Sequence, residues 1–363
     1  MPRVNKMNSR VGLGLTLALV LAASPQAFAQ SAKAPPMKPT ITGFIDMQTI
    51  VWHNADGGTP TFTLDNAKQF PGLFGGIVLN ATWAELQGQR GALTTARIDQ
   101  ALEQVREYNA ANPNAPLGVK LRIFAGNQAP DWAKAIAGGP VAMQRNPQGC
   151  PSGNCPITIG KVWHPQYIAA WRAFQGAVAA RYDSRPLIRS VAVTSCTMQT
   201  DEPFVLPVGQ PVPGYTDAAG RACLRGAIDD YAAWRRTPID LTLNVFPQLQ
   251  AGGADMGFTM AVMNACRAKL GRRCELGNHA LMGDMRPANA KMVAAIAARG
   301  APIHYQTEGP KAPGFDWTTT IQAARRYNAT AVELWPDAKF GGFTSLSMAE
   351  MQKLRALFGG PAR

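Results

Sequence analysis

A closed barrel of eight βα units, built as a single (β/α)8 TIM-barrel domain, is the fold this sequence predicts. Three observations carry it. Strand-like and helix-like segments alternate from residue 41 to the C-terminus. Eight such pairs fit within residues 41–363, a length suited to one barrel domain. The strand-like runs also place aliphatic residues on one face and polar residues on the other. In Gly118–Phe124, Val119, Leu121 and Ile123 alternate with Lys120 and Arg122; in Ala331–Trp335, Val332 and Leu334 flank Glu333; in Ala301–Glu308 the polar set is His304, Gln306 and Glu308. Side chains alternate across a strand, and helices cover the outer face of a parallel barrel. The polar sets therefore point into the barrel. Burying them is costly unless they pair or meet a ligand, which makes the barrel mouth the candidate site. A doubly wound open sheet is the competing architecture, but no glycine-rich phosphate loop follows the first strand.

The expected strands are Thr42–Trp52, Gly76–Thr82, Gly118–Ala125, Ile188–Cys196, Asp240–Phe246, Cys274–Leu281, Pro302–Glu308 and Ala329–Trp335. The expected helices are Leu64–Gln69, Thr95–Asn109, Pro165–Tyr182, Ala222–Arg235, Asp255–Leu270, Pro287–Arg299, Trp317–Tyr327 and Ser347–Phe358. Asp316 stands where it caps the helix beginning at Trp317, and Ser347 with Glu350 forms a capping box. Gly300 and Gly359 follow helix ends. The longest irregular stretches, about 126–164 and 197–221, follow strands three and four, on the face where a barrel builds its active site.

Residues 1–29 have the form of a secretory signal peptide: basic Arg3, Lys6 and Arg10, an apolar run from Gly12 to Ala23, and a small-x-small site at Ala27-Phe28-Ala29. A Pro/Lys linker at 30–40 and the barrel domain at 41–363 follow. No later stretch reaches the roughly 18 apolar residues a spanning helix needs, so no stable membrane insertion is expected. The reading is of a bacterial periplasmic or secreted protein. The formal charge of +13 falls to +10 once the three basic residues of the leader are removed. No basic run interleaved with aromatics supports nucleic-acid binding. The charge suits an anionic polysaccharide or an anionic envelope, and equally a generally basic proteome. Six cysteines fit an oxidising compartment, and nearest-neighbour pairing gives Cys150–Cys155, Cys196–Cys223 and Cys266–Cys274 among the 15 possible connectivities. No CxxC occurs and the four histidines are scattered, so no metal site and no cofactor are expected.

Two glutamates stand out. Glu308 closes strand seven in Tyr305-Gln306-Thr307-Glu308-Gly309-Pro310, and Glu202 follows strand four in Thr200-Asp201-Glu202-Pro203. A carboxylate pair across a barrel mouth is the apparatus for splitting a glycosidic bond. At these residues the chain resembles the retaining (β/α)8-barrel glycoside hydrolases, the clan of β-galactosidases, cellulases and mannanases. Trp83-Ala84-Glu85-Leu86, Ala129-Pro130-Asp131-Trp132, Arg181-Tyr182 and Glu333-Leu334-Trp335-Pro336 are similar to further motifs of that clan. The resemblance implies that Glu202 is the acid/base and Glu308 the nucleophile of a secreted glycosidase. Asp201 departs from the clan's usual Asn before the acid/base, and Asp201 and Glu333 are alternative acids. The same departure favours the other reading, a non-catalytic carbohydrate-binding or envelope-associated barrel.

Further candidates for sugar contact are Asn80, Trp83, Arg122, Trp132, Asp201, Asn244, Asn278, His304, Glu333 and Trp335. An aromatic face stacks on the apolar face of a pyranose, which singles out the tryptophans. Each has a plainer alternative: a core ring for the tryptophans, loop-backbone partners for the asparagines, and ion pairing of Glu333 with Lys120 or of Glu308 with Arg122 or Lys120.

Overall fold

A computed structural model of the chain describes residues 35–48, 62–144, 156–205 and 212–359. Residues 1–29, expected as a leader, and the expected Cys150–Cys155 pair lie outside the described residues. Pro35–Arg363 form one compact unit. Its centre is a closed barrel of eight parallel strands, each hydrogen-bonded to its sequence neighbours in the barrel and the last to the first. The strands are β1 Gly43–Asp46, β2 Phe74–Thr82, β3 Gly118–Phe124, β4 Ile188–Ala192, β5 Ile239–Thr242, β6 Cys274–Leu281, β7 Ile303–Thr307 and β8 Ala331–Leu334. Closure runs through β1 and β8, with Gly43 opposite Ala331 and Asp46 opposite Leu334. The expected barrel is therefore present.

Local rules explain most helix ends. Asp316 accepts the Thr319 N–H at 2.8 Å, and Ser347 exchanges hydrogen bonds with Glu350, as a capping box should. Gly300 and Gly359 take φ of +71° and +117° at helix ends, a conformation glycine adopts without steric cost.

Other boundaries move for identifiable reasons. Strand β1 stops at Asp46 instead of Trp52, since Gln48 turns the chain at φ +63°. Strand β4 stops at Ala192 instead of Cys196: the Thr194 N–H leaves the ladder for the Tyr231 hydroxyl at 2.8 Å, and Cys196 takes φ +62°. Strand β5 ends at Thr242 instead of Phe246, which pairs with Asp255 in a separate short hairpin. The fourth helix is Asp217–Gly226, upstream of the expected Ala222–Arg235, with the Thr216 hydroxyl capping the Ala219 N–H at 3.0 Å. The loop after β3 holds an antiparallel hairpin, Val141–Gln144 with Pro156–Ile159, that alternation alone did not reveal.

The outer wall is apolar and continuous, from Val119, Leu121 and Ile123 to Val332 and Leu334. Inside, a floor of Ile41, Ile45, Val78 and Ala331 forms a separate cluster, every member fully buried. A Cβ on Gly76 would lie 2.6 Å from the Ile41 side chain, so the floor fits only if that strand carries no side chain there.

Above the floor the interior turns polar. Ser190 donates to Glu275 at 2.5 Å, and His304 Nδ1 lies 3.4 Å from the same carboxylate. Next, Lys120 bridges Asp240 and Glu333, and Arg122 holds Glu333 together with Asp201, the last at 2.7 Å from Nε. Lys120, Arg122, Asp240 and Glu333 are each at most 1 % exposed, and Asp201 is 4 % exposed. Burial opposes the charge on Glu333, but Arg122 and Lys120 overcome it and hold the carboxyl far below its ordinary range. Gly277 lets β6 lie close to β7, because a Cβ there would sit 2.5 Å from the His304 carbonyl oxygen, with an Asp240 carboxylate oxygen at 3.2 Å.

Two disulfides join described residues, Cys196–Cys223 and Cys266–Cys274, as nearest-neighbour pairing predicts. The first ties the loop after β4 to the helix Asp217–Gly226. No described helix is long and apolar enough to cross a membrane.

Two stability measurements follow. Lys120→Met leaves Asp240 without its cation and Glu333 with Arg122 alone, and urea unfolding at pH 7 is expected to show a loss of about 3–5 kcal/mol. Opening the Cys196–Cys223 bridge by replacing both residues with Ala is expected to cost about 3 kcal/mol in the same assay.

Candidate active site

The mouth is built from the C-terminal ends of β4 to β8. Glu202 lies in the loop after β4, ten residues beyond the last strand residue. That loop is held from both sides: by the disulfide at Cys196, and by Thr194, whose hydroxyl bonds the Ile123 carbonyl while Thr197 bonds the Thr194 carbonyl at 2.9 Å. The Gly126 backbone packs against it. A Cβ at Gly126, which has φ +57°, would fall 2.1 Å from the Met198 carbonyl oxygen. The long loop therefore folds back over the barrel and returns Glu202 to the mouth.

Glu202 is half-buried there. Its main-chain N–H donates to the Thr200 hydroxyl at 3.2 Å, and its Oε1 accepts from the Asn244 side-chain amide at the end of β5. Burial pushes its carboxyl up to about 8, and the charges of Asp201 and Glu308 add to the rise. Glu202 is thus a carboxylic acid at neutral pH. The charge of Glu308 is thus felt by Glu202 across the mouth.

Glu308 extends β7. Its main-chain N–H donates to the Leu281 carbonyl at 2.8 Å, which anchors it beside β6. Its carboxylate accepts only the adjacent Gly309 N–H, at 3.2 Å, among the hydrogen bonds of the described residues, and it joins none of their ion pairs. The cations that could have held it, Lys120 and Arg122, are engaged by Asp240, Glu333 and Asp201. Trp335, half-buried, follows β8, and its indole N–H donates to the Thr307 carbonyl at 2.9 Å. Its ring is thereby fixed beside the Glu308 backbone.

Arrangement of the other expected site residues is uneven. Asn244 reaches Glu202. Arg122, Asp201 and Glu333 converge on the mouth from below, but as members of the buried ion network. His279 Nε2 approaches Asp201 at 3.5 Å, and burial holds its imidazole below its ordinary pKa. The sequence places His279 at the end of strand six, as a structural histidine or one that orients a carboxylate, and here it faces Asp201. Asn278 is fully buried behind Asn244. His304, 2 % exposed, lies near the floor against Glu275, so the sugar contact expected of it does not fit. Asn80, 2 % exposed, donates to the Met47 carbonyl at 3.2 Å.

Trp83 is fully buried in an aromatic cluster with Trp132, Tyr167, Trp171 and Phe174, so the sugar contact expected of this ring does not fit either. Trp132 sits at the edge of that cluster, half-buried, its N–H on the Gln87 carbonyl at 2.9 Å. A groove on the outer wall, lined by Phe62, Lys68, Gln104, Glu107 and Tyr108, contains none of these residues.

No protein-family model matches the chain, and no curated protein sequence does. Solved structures do. Endo-glycoceramidase II from Rhodococcus sp., in its lactosyl-enzyme intermediate, aligns with a TM-score of 0.51 at 16% identity, over 84% of this chain and 76% of its own. The same enzyme in its ganglioside GM3 complex aligns with a TM-score of 0.50 at 15% identity, over 84% and 77%. The cold-adapted β-galactosidase from Rahnella sp. R3 gives 0.51 at 11% identity, over 90% of this chain and 57% of its own. The chain therefore has the closed (β/α)8 barrel fold that these glycoside hydrolases share.

Proposed function

We propose that the protein is an exported glycoside hydrolase that cleaves O-glycosidic bonds of an oligo- or polysaccharide with retention, using Glu308 as nucleophile and Glu202 as acid/base. One observation carries the reading. Every other acid that faces the ion network is bound by a cation or by a neighbouring polar group, whereas Glu202 is driven neutral and Glu308 is left unengaged beside it. A carboxyl group that holds its proton, facing a second carboxyl group that no cation occupies, is what this chemistry requires. The barrel fold of the neighbouring glycosidases agrees, and one of them is captured as a glycosyl-enzyme intermediate.

In the first half-reaction Glu308 attacks the anomeric carbon as the glycosidic C–O bond breaks, and the Glu202 proton passes to the departing oxygen. In the second, Glu202, now a carboxylate, takes a proton from water as that water displaces Glu308. Trp335 offers an aromatic face for the sugar beside Glu308. No metal or organic group is needed for either step. The leader-like N-terminus and the disulfides support export to an oxidising compartment, and the positive net charge favours an anionic polysaccharide among possible substrates.

Turnover is to be sought on a panel of aryl β-glycosides and envelope polysaccharides. Glu308→Gln is expected to lower kcat by about a thousandfold or more. A 2-deoxy-2-fluoro aryl glycoside is expected to add the mass of its sugar to the wild type and not to Glu308→Gln. Undiminished turnover by Glu308→Gln would sink the assignment.

Because the Glu202 carboxyl must be protonated to act, kcat/KM is expected to fall on the alkaline side with a midpoint near 8. The same raised value has a sign for stability. The folded state holds the proton above the ordinary value of 4.5, so this contribution is fully present below that pH and is lost as the pH rises through about 8. Glu202→Gln is therefore expected to melt higher than wild type at pH 9, the difference shrinking as the pH is lowered toward 4.5.

A further inference from the structure

A carboxylic acid delivers its proton usefully only if the proton sits on the oxygen facing the leaving group. The Asn244 amide touches the other oxygen, Oε1 of Glu202. A side-chain amide is two-faced: rotated by half a turn, it would present its own oxygen to Oε1 and draw the acid proton there. What settles the orientation lies one residue further back.

Asn278, with no exposed surface, contacts Asn244 from behind. Its amide nitrogen donates to the Leu243 carbonyl at 2.8 Å and to the Asn244 side-chain oxygen at 2.7 Å. Its side-chain oxygen accepts the Ala280 main-chain N–H at 2.9 Å. A main-chain carbonyl can only accept and a main-chain N–H can only donate, so the Asn278 amide has a single orientation that satisfies both. Its NH2 group faces Asn244. Asn244 must then turn its oxygen to Asn278 and its NH2 group to Glu202. The Ala280 N–H lies within the irregular stretch of β6, where Asn278 and Leu281 pair with Tyr305 and Thr307 of β7.

We propose that Asn278 is a positioning residue which, through Asn244, fixes Oε1 of Glu202 as a hydrogen-bond acceptor and so leaves Oε2 as the oxygen that gives and takes the proton. The proposal rests on the reading of Glu202 as the acid/base. It serves both half-reactions with one geometry. Oε2–H passes its proton to the glycosidic oxygen as the C–O bond breaks and the bond to Glu308 forms. Asn244 still donates to Oε1 of the resulting carboxylate, and Oε2 accepts the proton of the water that displaces Glu308.

The test uses Asn278→Ala, the near-isosteric Asn278→Asp, Asn244→Ala and the Asn244→Ala/Asn278→Ala double variant. The substrates are the 2,4-dinitrophenyl and unsubstituted phenyl β-glycosides of the sugar that wild type turns over fastest. Dinitrophenolate departs without a proton, whereas phenolate needs one. Both Asn278 variants are expected to lose about ten- to a hundredfold in kcat/KM on the phenyl glycoside and little on the dinitrophenyl glycoside. Asn278→Ala is expected to add nothing in the Asn244→Ala background. Equal losses on the two leaving groups, or independent losses in the double variant, would overturn the proposal.

A substrate-free measurement accompanies it: the carboxyl titration of 13C-glutamate-labelled protein, with Glu202 assigned by its absence in Glu202→Gln. With Asn244 free to rotate, the Glu202 midpoint in Asn278→Ala is expected to rise, and an unchanged midpoint counts against the relay. If Glu202→Gln hydrolyses the phenyl glycoside as wild type does, the acid/base reading itself fails. If it does not, and Asn278→Ala shows no leaving-group dependence, only the relay fails.

Discussion

Two cations in the barrel interior organise everything above them. Lys120 and Arg122 are consecutive inward positions of β3, and between them they engage acids from β5, β8 and the loop after β4. Isolated, any of these charges would be ruinously expensive to bury; pairing offsets that cost. Their neutralisation has a chemical by-product. Since Asp240, Glu333 and Asp201 use up the positive charge, none is left for the two glutamates at the rim. One of these, Glu202, responds by holding its proton, and the other, Glu308, has no ion-pair partner among the described side chains. The site is thus defined as much by what the network withholds as by what the rim supplies.

Asp201 shows how this works at close range. It stands directly before the proposed acid/base, where a carboxylate would repel it, and it does raise Glu202. Its own charge is stabilised from the other side by Arg122 and then by His279 and Lys120. The neighbouring anion is therefore secure, and it is Glu202 that stays protonated. A neutral amide in the place of Asp201 would give Arg122 one fewer partner and Glu202 one fewer repulsion.

Much of this was legible in the chain, because strand alternation is a local property. It assigned Lys120, Arg122, Glu333 and Glu308 to the inner face, and the eightfold alternation gave the barrel. What alternation cannot say is which inward group meets which. Whether Glu333 or Glu308 would take the cations depends on registers across four strands, and that choice separates a staple from a nucleophile. Asn278 looked like a sugar contact because it ends a strand; the irregularity of β6 puts it behind Asn244 instead. Trp83 looked exposed because it follows a strand; Tyr167, Trp171 and Phe174, about ninety residues away on another helix, enclose it. The start of the helix Asp217–Gly226 was missed although Thr216 is a good cap, since the apolar spacing that drew attention begins further on.

The apolar plug of Ile41, Ile45, Val78 and Ala331 leaves no polar group at its own level of the barrel, since all four side chains are hydrocarbon and fully buried. Neither a sugar hydroxyl nor a water molecule finds a hydrogen-bond partner among them, so the polar groups of the rim are where both are held.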